Sequence, residues 1–174
     1  FDIGASDVEN LFMAWNRNST STDRVEWRDV TQTSSVDDTL VPYTNGTEYH
    51  FMLSIAPGAG VGGTTRVTWY AAPGGAAILG AAKGSFDTAN TLAEFNDTDF
   101  WLGRSHYTAD ATASASYNEV RIWNHVFSES ERESRHALGP DNIGTIPMQT
   151  VAGRLPQGGE LQLCETGTFD ASGG

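Results

Sequence analysis

The sequence predicts an all-β fold, a two-sheet antiparallel sandwich or jelly roll with one short helix that ends near residue 138. Three observations support this prediction. Short segments that alternate apolar and polar residues recur along the chain. Gly, Ser, Thr, Asn and Asp separate these segments, and Lys83 is the only lysine. A single segment carries the sequence signals of a helix start and a helix end.

The alternating segments place the strands. Residues 24–30 put Val25 and Trp27 on one face, and residues 65–70 put Val67 and Trp69 on one face, as a half-buried strand requires. The predicted strands are residues 10–15, 24–30, 39–43, 49–55, 65–70, 100–103 and 117–127, the last being the longest. We interpret the glycine-rich run at 57–63 as a hairpin loop, because no Lys-Ser or Lys-Thr and no helical pattern follows it.

The helix is predicted from its two ends. Ser128 and Glu131 have the spacing of a capping box, and Gly139 and Pro140 are stop signals. From residue 141 onward the sequence is irregular and typical of an extended linker, with a last strand expected at 160–163.

Composition excludes several classes of function. The 174 residues suffice for one domain, or for one domain and the start of another. A formal net charge of −12 argues against binding to a nucleic-acid backbone, so we expect no nucleic-acid partner. The sequence contains no apolar run near the roughly 20 residues that a membrane span needs, so we expect no span.

Three sequons point to an extracellular glycoprotein. Asn18, Asn45 and Asn96 each begin an Asn-x-Ser/Thr triplet without proline in a polar, turn-like stretch. N-linked glycans are therefore expected on all three. Cys164 is the one cysteine, and an odd cysteine in a secreted protein calls for a partner elsewhere.

The longest predicted strand also carries a family resemblance. The run YNEVRIWN at 117–124, followed by VFSESE at 126–131, resembles the closing segment of laminin-G-like domains of the concanavalin A-like superfamily. WLGRS at 101–105, YHF at 49–51 and FDIG at 1–4 are similar to earlier motifs of these domains, in the same order. The resemblance implies a jelly roll over residues 1–138 whose opening strands are missing from this chain or are supplied by another chain.

The end of the sequence resembles a second family. CETGTF at 164–169 with SGG at 172–174 is similar to the start of an ephrin-receptor-like cysteine-rich repeat. This resemblance implies that Cys164 forms a disulfide with a residue outside the chain. The expected organisation is a jelly roll at 1–138, a linker at 139–163 and the start of the repeat at 164–174, a combination found in large surface and matrix glycoproteins.

No catalytic motif emerges from the residues. Glucanases of the same superfamily use an E-x-D-x-x-E strand, and the acidic run at 94–99 lacks the second glutamate. The four histidines do not have zinc-ligand spacing, and we interpret His50 as structural within its strand. We therefore predict that the chain is not an enzyme.

Three functions stay open at this point, of which a degenerate or split glycosidase is the least favoured. The leading hypothesis is a non-catalytic structural or adhesive module, such as a repeating subunit of a surface filament or matrix fibre, whose partners are other protein chains, above all copies of itself. The alternative is a calcium-dependent lectin. No cofactor is assigned, but calcium is kept open because loop aspartates could supply hard oxygen ligands, and Trp15 or Trp101 could stack on sugar. These aspartates are Asp87, Asp97, Asp99 and Asp110.

Overall fold

Two antiparallel sheets and one helix make up the protein in a computed structural model that describes residues 1–17, 22–29, 33–38, 44 and 46–140. The elements are β1 (Asp2–Ser6), β2 (Glu9–Arg17), β3 (Thr22–Arg28), β4 (Thr33–Asp38), β5 (Tyr49–Ala56), β6 (Thr65–Pro73), β7 (Gly84–Thr88), β8 (Asp99–Trp101) and α1 (Glu129–Leu138). The larger sheet has the order β4-β3-β2-β1-β8 and the smaller β5-β6-β7. The prediction of a mostly β protein with antiparallel sheets and one helix is confirmed.

Both sheets contribute to one hydrophobic core. In the β2–β3 pair, Leu11 lies opposite Trp27 and Met13 lies opposite Val25. Both pairs lie on the same face of the sheet, because residues two apart along a strand share a face. The buried members of this core are Leu11, Met13, Val25, Trp27, Val67, Trp69 and Ala71. Full burial of side chains of this kind stabilises a fold by about 1.5–3 kcal/mol each. The prediction that each of these pairs of strand residues shares an inward face is therefore confirmed for Val25 with Trp27 and for Val67 with Trp69.

The other face of the larger sheet is covered by the chain that follows β8. Phe12 is buried there, with its ring 5.4 Å from the ring of Tyr107 in an edge-on arrangement. The Tyr107 hydroxyl accepts a hydrogen bond from Arg28 Nη1 at 2.9 Å. Burial, followed by the nearby Glu26 carboxylate, raises the pKa of Tyr107 to about 12. This loop is thus packed onto the sheet.

Most predicted strands form with small shifts at their ends. β2, β3, β5, β6 and β8 correspond to predictions, and residues 57–63 connect β5 to β6 as the predicted hairpin loop. β1, β4 and β7 are not among the predicted strands, since Asp2–Ser6 and Gly84–Thr88 are short and Thr33–Asp38 is dominated by Ser and Asp. The predicted strands at 39–43 and 160–163 lie outside the described residues.

The helix begins and ends as predicted. The Ser128 side chain accepts a hydrogen bond from the Glu131 amide, and Glu131 Oε2 accepts one from the Ser128 amide at 2.7 Å. The Ser128 hydroxyl, which donates to Glu131 Oε2 at 2.7 Å, followed by the Ser128 amide, lowers the pKa of the Glu131 carboxyl. At the other end Gly139 adopts φ 70°, which favours glycine, and its amide donates to the His136 carbonyl.

The prediction of a strand at 117–127 is wrong. The structure assigns no strand or helix to these residues, although the sequence alternates as a strand should. The physical reason is that a strand needs a neighbouring strand to satisfy its backbone, and no described strand pairs with this stretch. It leads from the loops after β8 into α1 as an irregular, exposed segment.

Candidate functional site

Exposed apolar side chains concentrate in one short stretch, residues 117–126, which we call the 117–126 segment. Five of the eleven large hydrophobic side chains that are exposed in the described part of the chain belong to it, and Ile122 is 78% exposed. The five are Tyr117, Val120, Ile122, Trp123 and Val126. Single exposed apolar residues are normal on protein surfaces, but a contiguous group marks an interaction site.

The backbone of this segment is also unpaired with other backbone. Among the described residues, residues 120–126 make no backbone–backbone hydrogen bond. Val, Ile and Trp are residues that favour β-strands, so the stretch has strand propensity without a strand partner. Free amides and carbonyls beside apolar side chains are what another chain needs to add a strand.

The start of the segment is attached to the smaller sheet. Asn118 Nδ2 donates a hydrogen bond to Glu48 Oε1 at 3.2 Å, immediately before β5. The ring of Tyr117 lies against Gly103. A Cβ atom added at Gly103 would be 3.5 Å from the Tyr117 hydroxyl oxygen. The segment is therefore held at this end although it joins neither sheet.

The end of the segment is anchored by Phe127. This side chain is buried in a second, smaller apolar cluster. The other buried members of the cluster are Met52, Tyr70, Ala72 and Leu79. Trp123 packs edge-on against Phe127 with ring centres 4.9 Å apart, and the Arg135 guanidinium lies within 6 Å of both ring centres, at 5.8 and 5.7 Å. The helix side chain thus covers the anchor.

Polar contacts dock α1 on the chain around β6. The Glu133 carboxylate accepts hydrogen bonds from the amides of Leu79, at 2.7 Å, and Gly80, at 2.9 Å. The Gly80 amide, followed by that of Leu79, lowers the pKa of the Glu133 carboxyl. The Arg132 guanidinium lies 4.3 Å from the centre of the Tyr70 ring, a cation–π distance. Sequence patterns could not reveal these contacts because they join distant residues.

A histidine pair connects the helix to β5. His136 is buried and its Nε2 lies 2.9 Å from the Ala76 carbonyl oxygen, so Nε2 carries a proton, and in the neutral ring Nδ1 is an acceptor. His50 Nδ1, 2.9 Å from His136 Nδ1, is then the donor. The ring centres are 5.2 Å apart and the ring planes are within 16°, which places both nitrogens near the line between the centres. His50 thus contacts the helix from within its strand.

A second polar cluster lies at the β1–β8 edge. The fully buried Asp2 carboxylate accepts hydrogen bonds from Asn10 Nδ2 and from the amide and Nδ1 of His106. The Trp101 ring stacks on His106 at 4.1 Å, and the Arg104 guanidinium lies 4.0 Å from the Trp101 ring centre. Both faces of Trp101 are therefore in contact with protein groups, and this geometry does not offer a sugar-stacking platform.

The predicted modification sites are only in part within the described chain. Asn96 is exposed, and its Oδ1 accepts a hydrogen bond from the Thr98 hydroxyl at 3.0 Å. Asn18, Asn45 and Cys164 lie outside the described residues, as does the side chain of Trp15. Glycosylation at the three asparagines and the disulfide of Cys164 stay predictions.

The four aspartates named for calcium are not grouped together in the described part of the chain, and Asp87 and Asp99 lie in strands β7 and β8 instead of loops. Asp87 pairs with Arg66 Nε at 2.8 Å and accepts from the Val61 amide, and the Arg66 hydrogen bond is the main cause that lowers the pKa of Asp87 to about 2. Asp110 accepts from the Ser105 hydroxyl instead. In the described ranges, no three His, Cys, Asp or Glu side chains are grouped as metal ligands, and no helix has the length and apolar character of a membrane span.

Comparison of the chain with protein-family models, with curated proteins and with solved structures finds no match.

The histidine pair predicts a pH-dependent stability. Burial, followed by the charge of His136, lowers the pKa of His50 in the folded state. The folded chain then binds a proton more weakly than the unfolded chain, whose histidine pKa is about 6.5, so the free energy of unfolding falls as the pH drops below about 6.5. His50→Gln keeps a donor toward His136 but cannot titrate. Urea unfolding at about pH 7.5 and about pH 5 should show a smaller loss of stability in this variant than in the wild type.

The matched control is His125→Gln, which removes an exposed histidine next to Phe127. It should retain the wild-type loss of stability. An equal loss in the wild type and in His50→Gln would contradict the role assigned to the pair.

Proposed function

We propose that this chain is a non-catalytic structural or adhesive module of an extracellular glycoprotein, which associates with other protein chains through the 117–126 segment. The observation that carries the proposal is the combination of exposed Val120 and Ile122 side chains with a backbone that has no described backbone partner. A surface of this kind gains both apolar burial and main-chain hydrogen bonds when a strand is added to it.

The anchoring of the segment supports association over simple disorder. Asn118 and Phe127 attach the two ends, so little conformational entropy is lost when the stretch between them is ordered by a partner. Two antiparallel sheets with a common core are compatible with the proposed laminin-G-like jelly roll over residues 1–138. In that proposal the family's closing strand is the segment that makes the contact.

Within the described part of the chain, the close carboxylate–histidine pair of Asp2 and His106 is better explained as structural. Asp2 and His106 are both buried, and the opposite ring nitrogen of His106 faces Asp99 Oδ2 at 3.8 Å under the Trp101 ring. The buried Asp2–His106 pair connects β1 to the chain after β8, and a substrate could not reach it. This favours the proposal of a contact module over an enzyme.

The extracellular part of the proposal is tested at Asn96. When the chain is secreted from a eukaryotic host, we expect one N-glycan on this exposed asparagine, which mass spectrometry before and after glycosidase treatment detects. Asn96→Gln and Thr98→Ala should each remove the same glycan, because both destroy the sequon, whereas Thr91→Ala should retain it. A secreted chain with unmodified Asn96 would contradict this part of the proposal.

The adhesive part is tested with Ile122, the most exposed apolar side chain of the segment. Beads coated with the wild-type chain should aggregate, and beads coated with Ile122→Asp should stay dispersed because a carboxylate cannot be buried in the contact. The change should leave the free energy of unfolding within about 0.5 kcal/mol of wild type, since the side chain is on the surface.

Ile78→Asp is the matched control, since Ile78 is 64% exposed but lies outside the segment. Its beads should aggregate like wild type. The proposal fails if wild-type beads do not aggregate, or if both variants behave alike.

A further inference from the structure

We propose that the partner of the 117–126 segment is the same segment of a second copy, paired antiparallel about a two-fold axis at Val120. This inference rests on the proposed function, and adds to it the identity of the partner and the register of the contact. Two copies related by a two-fold axis present the same surface to each other, so the surface must be complementary to itself.

Charge selects this register. With Val120 at the axis, Glu119 lies opposite the partner's Arg121, and Arg121 lies opposite the partner's Glu119. Opposite charges directly across a strand pair are favourable, and like charges there are unfavourable. An axis at residue 119 would place two glutamates opposite each other, and an axis at residue 121 would place two arginines opposite each other. Of these three registers, only the Val120 axis pairs both charges favourably.

The apolar side chains agree with the same register. Tyr117 lies opposite the partner's Trp123, a pair of aromatic side chains of the type that stabilises neighbouring strands. Val120 meets the partner's Val120 on the other face. These three side chains are 44%, 36% and 47% exposed in the single chain, so a contact would remove apolar surface from water.

The segment already has part of the geometry that pairing requires. Arg121 Nη2 donates to Glu119 Oε2 within one chain, and contact between residues two apart indicates locally extended backbone with both on one face. The two side chains are 21% and 29% exposed, so partner groups can reach them. Pairing replaces the two contacts within the two chains by two equivalent contacts between them.

The contact is expected to be weak. A single strand pair buries less than about 1,200 Å², the range of transient complexes. The net charge of −12 on each copy adds long-range repulsion, which salt near 0.15 M screens beyond about 8 Å. Association should therefore depend on concentration and be measured at about physiological ionic strength, which suits a module that is repeated or clustered on a surface.

A charge-exchange experiment tests the register. Glu119→Arg leaves two arginines in each segment, and Arg121→Glu leaves two glutamates, so each variant alone places like charges opposite each other in both pairs. Sedimentation equilibrium should show dimerisation weakened at least about fivefold for each variant alone. An equal mixture of the two should form a mixed dimer with an affinity close to wild type, because every pair then has opposite charges.

The mixture separates the contact between chains from the contact within one chain. The Glu119–Arg121 pair of the single chain is absent from both variants and stays absent in the mixture, so restored dimerisation reports only contacts between chains. If neither the variants nor the mixture differ from wild type, or if both variants weaken dimerisation and the mixture does not restore it, the register is wrong. If Ile122→Asp still disperses beads in that case, the proposed function stands and only the partner or register fails.

Cross-linking provides a second readout that does not depend on charge. In a Cys164→Ser background, Val120→Cys places its thiol at the axis, where Cα atoms of opposed residues in an antiparallel pair are about 4.5–5.5 Å apart, within disulfide range. Mild oxidation should yield a covalent dimer. Ile122→Cys in the same background is the control, since its thiols would be four strand positions apart, and it should stay largely monomeric. Equal cross-linking of both variants would overturn the proposal.

Discussion

Backbone hydrogen bonding determines which segments of this protein lie in its sheets and which segment is left at the surface for contact with another chain. Every described strand is paired, and β1 is paired on both sides, with β2 and with β8. The 117–126 segment has the composition of a strand but makes no pair of this kind among the described residues. Among the described residues, the amides and carbonyls of residues 120–126 have no backbone partner, and the apolar side chains beside them favour pairing with another chain.

Helix α1 is what keeps this segment at the surface in a defined place. The helix is joined to β5 by the His50–His136 hydrogen bond and to the middle of the loop between β6 and β7 by Glu133. Phe127, immediately before the helix cap, is buried as a result. The segment is thus attached to the rest of the protein at Asn118 and at Phe127. Protonation of the histidine pair would weaken the contact between β5 and the helix that follows Phe127.

The sequence predicts what depends on local pattern and misses what depends on distant partners. Val25, Trp27, Val67 and Trp69 alternate with polar neighbours, and this local signal was enough to place them in the core. The helix could be predicted from Ser128 to Gly139 because caps are local chemistry. Residues 117–127 carry the same kind of signal, yet the prediction of a strand was wrong, because β-propensity describes the segment and not its neighbour.

The functional residues show the same limit. His50 and His136 are 86 positions apart, and no spacing rule connects them. Asp2 and His106, at 104 positions, were likewise invisible to motif analysis. Asn96 could be identified from its sequon alone, because the acceptor motif is contained in three adjacent residues.

Hydrogen–deuterium exchange of the backbone amides reports whether residues 120–126 are unpaired in the single chain and become paired between chains. In dilute solution the amides of residues 120–126 should exchange at nearly the rate of an unstructured peptide, whereas those of β2 and β6 should be protected. At high concentration the 120–126 amides should become protected while the other rates stay unchanged. Strong protection of residues 120–126 in dilute, monomeric protein would show that the segment is already paired within one chain and has no free backbone to offer a partner.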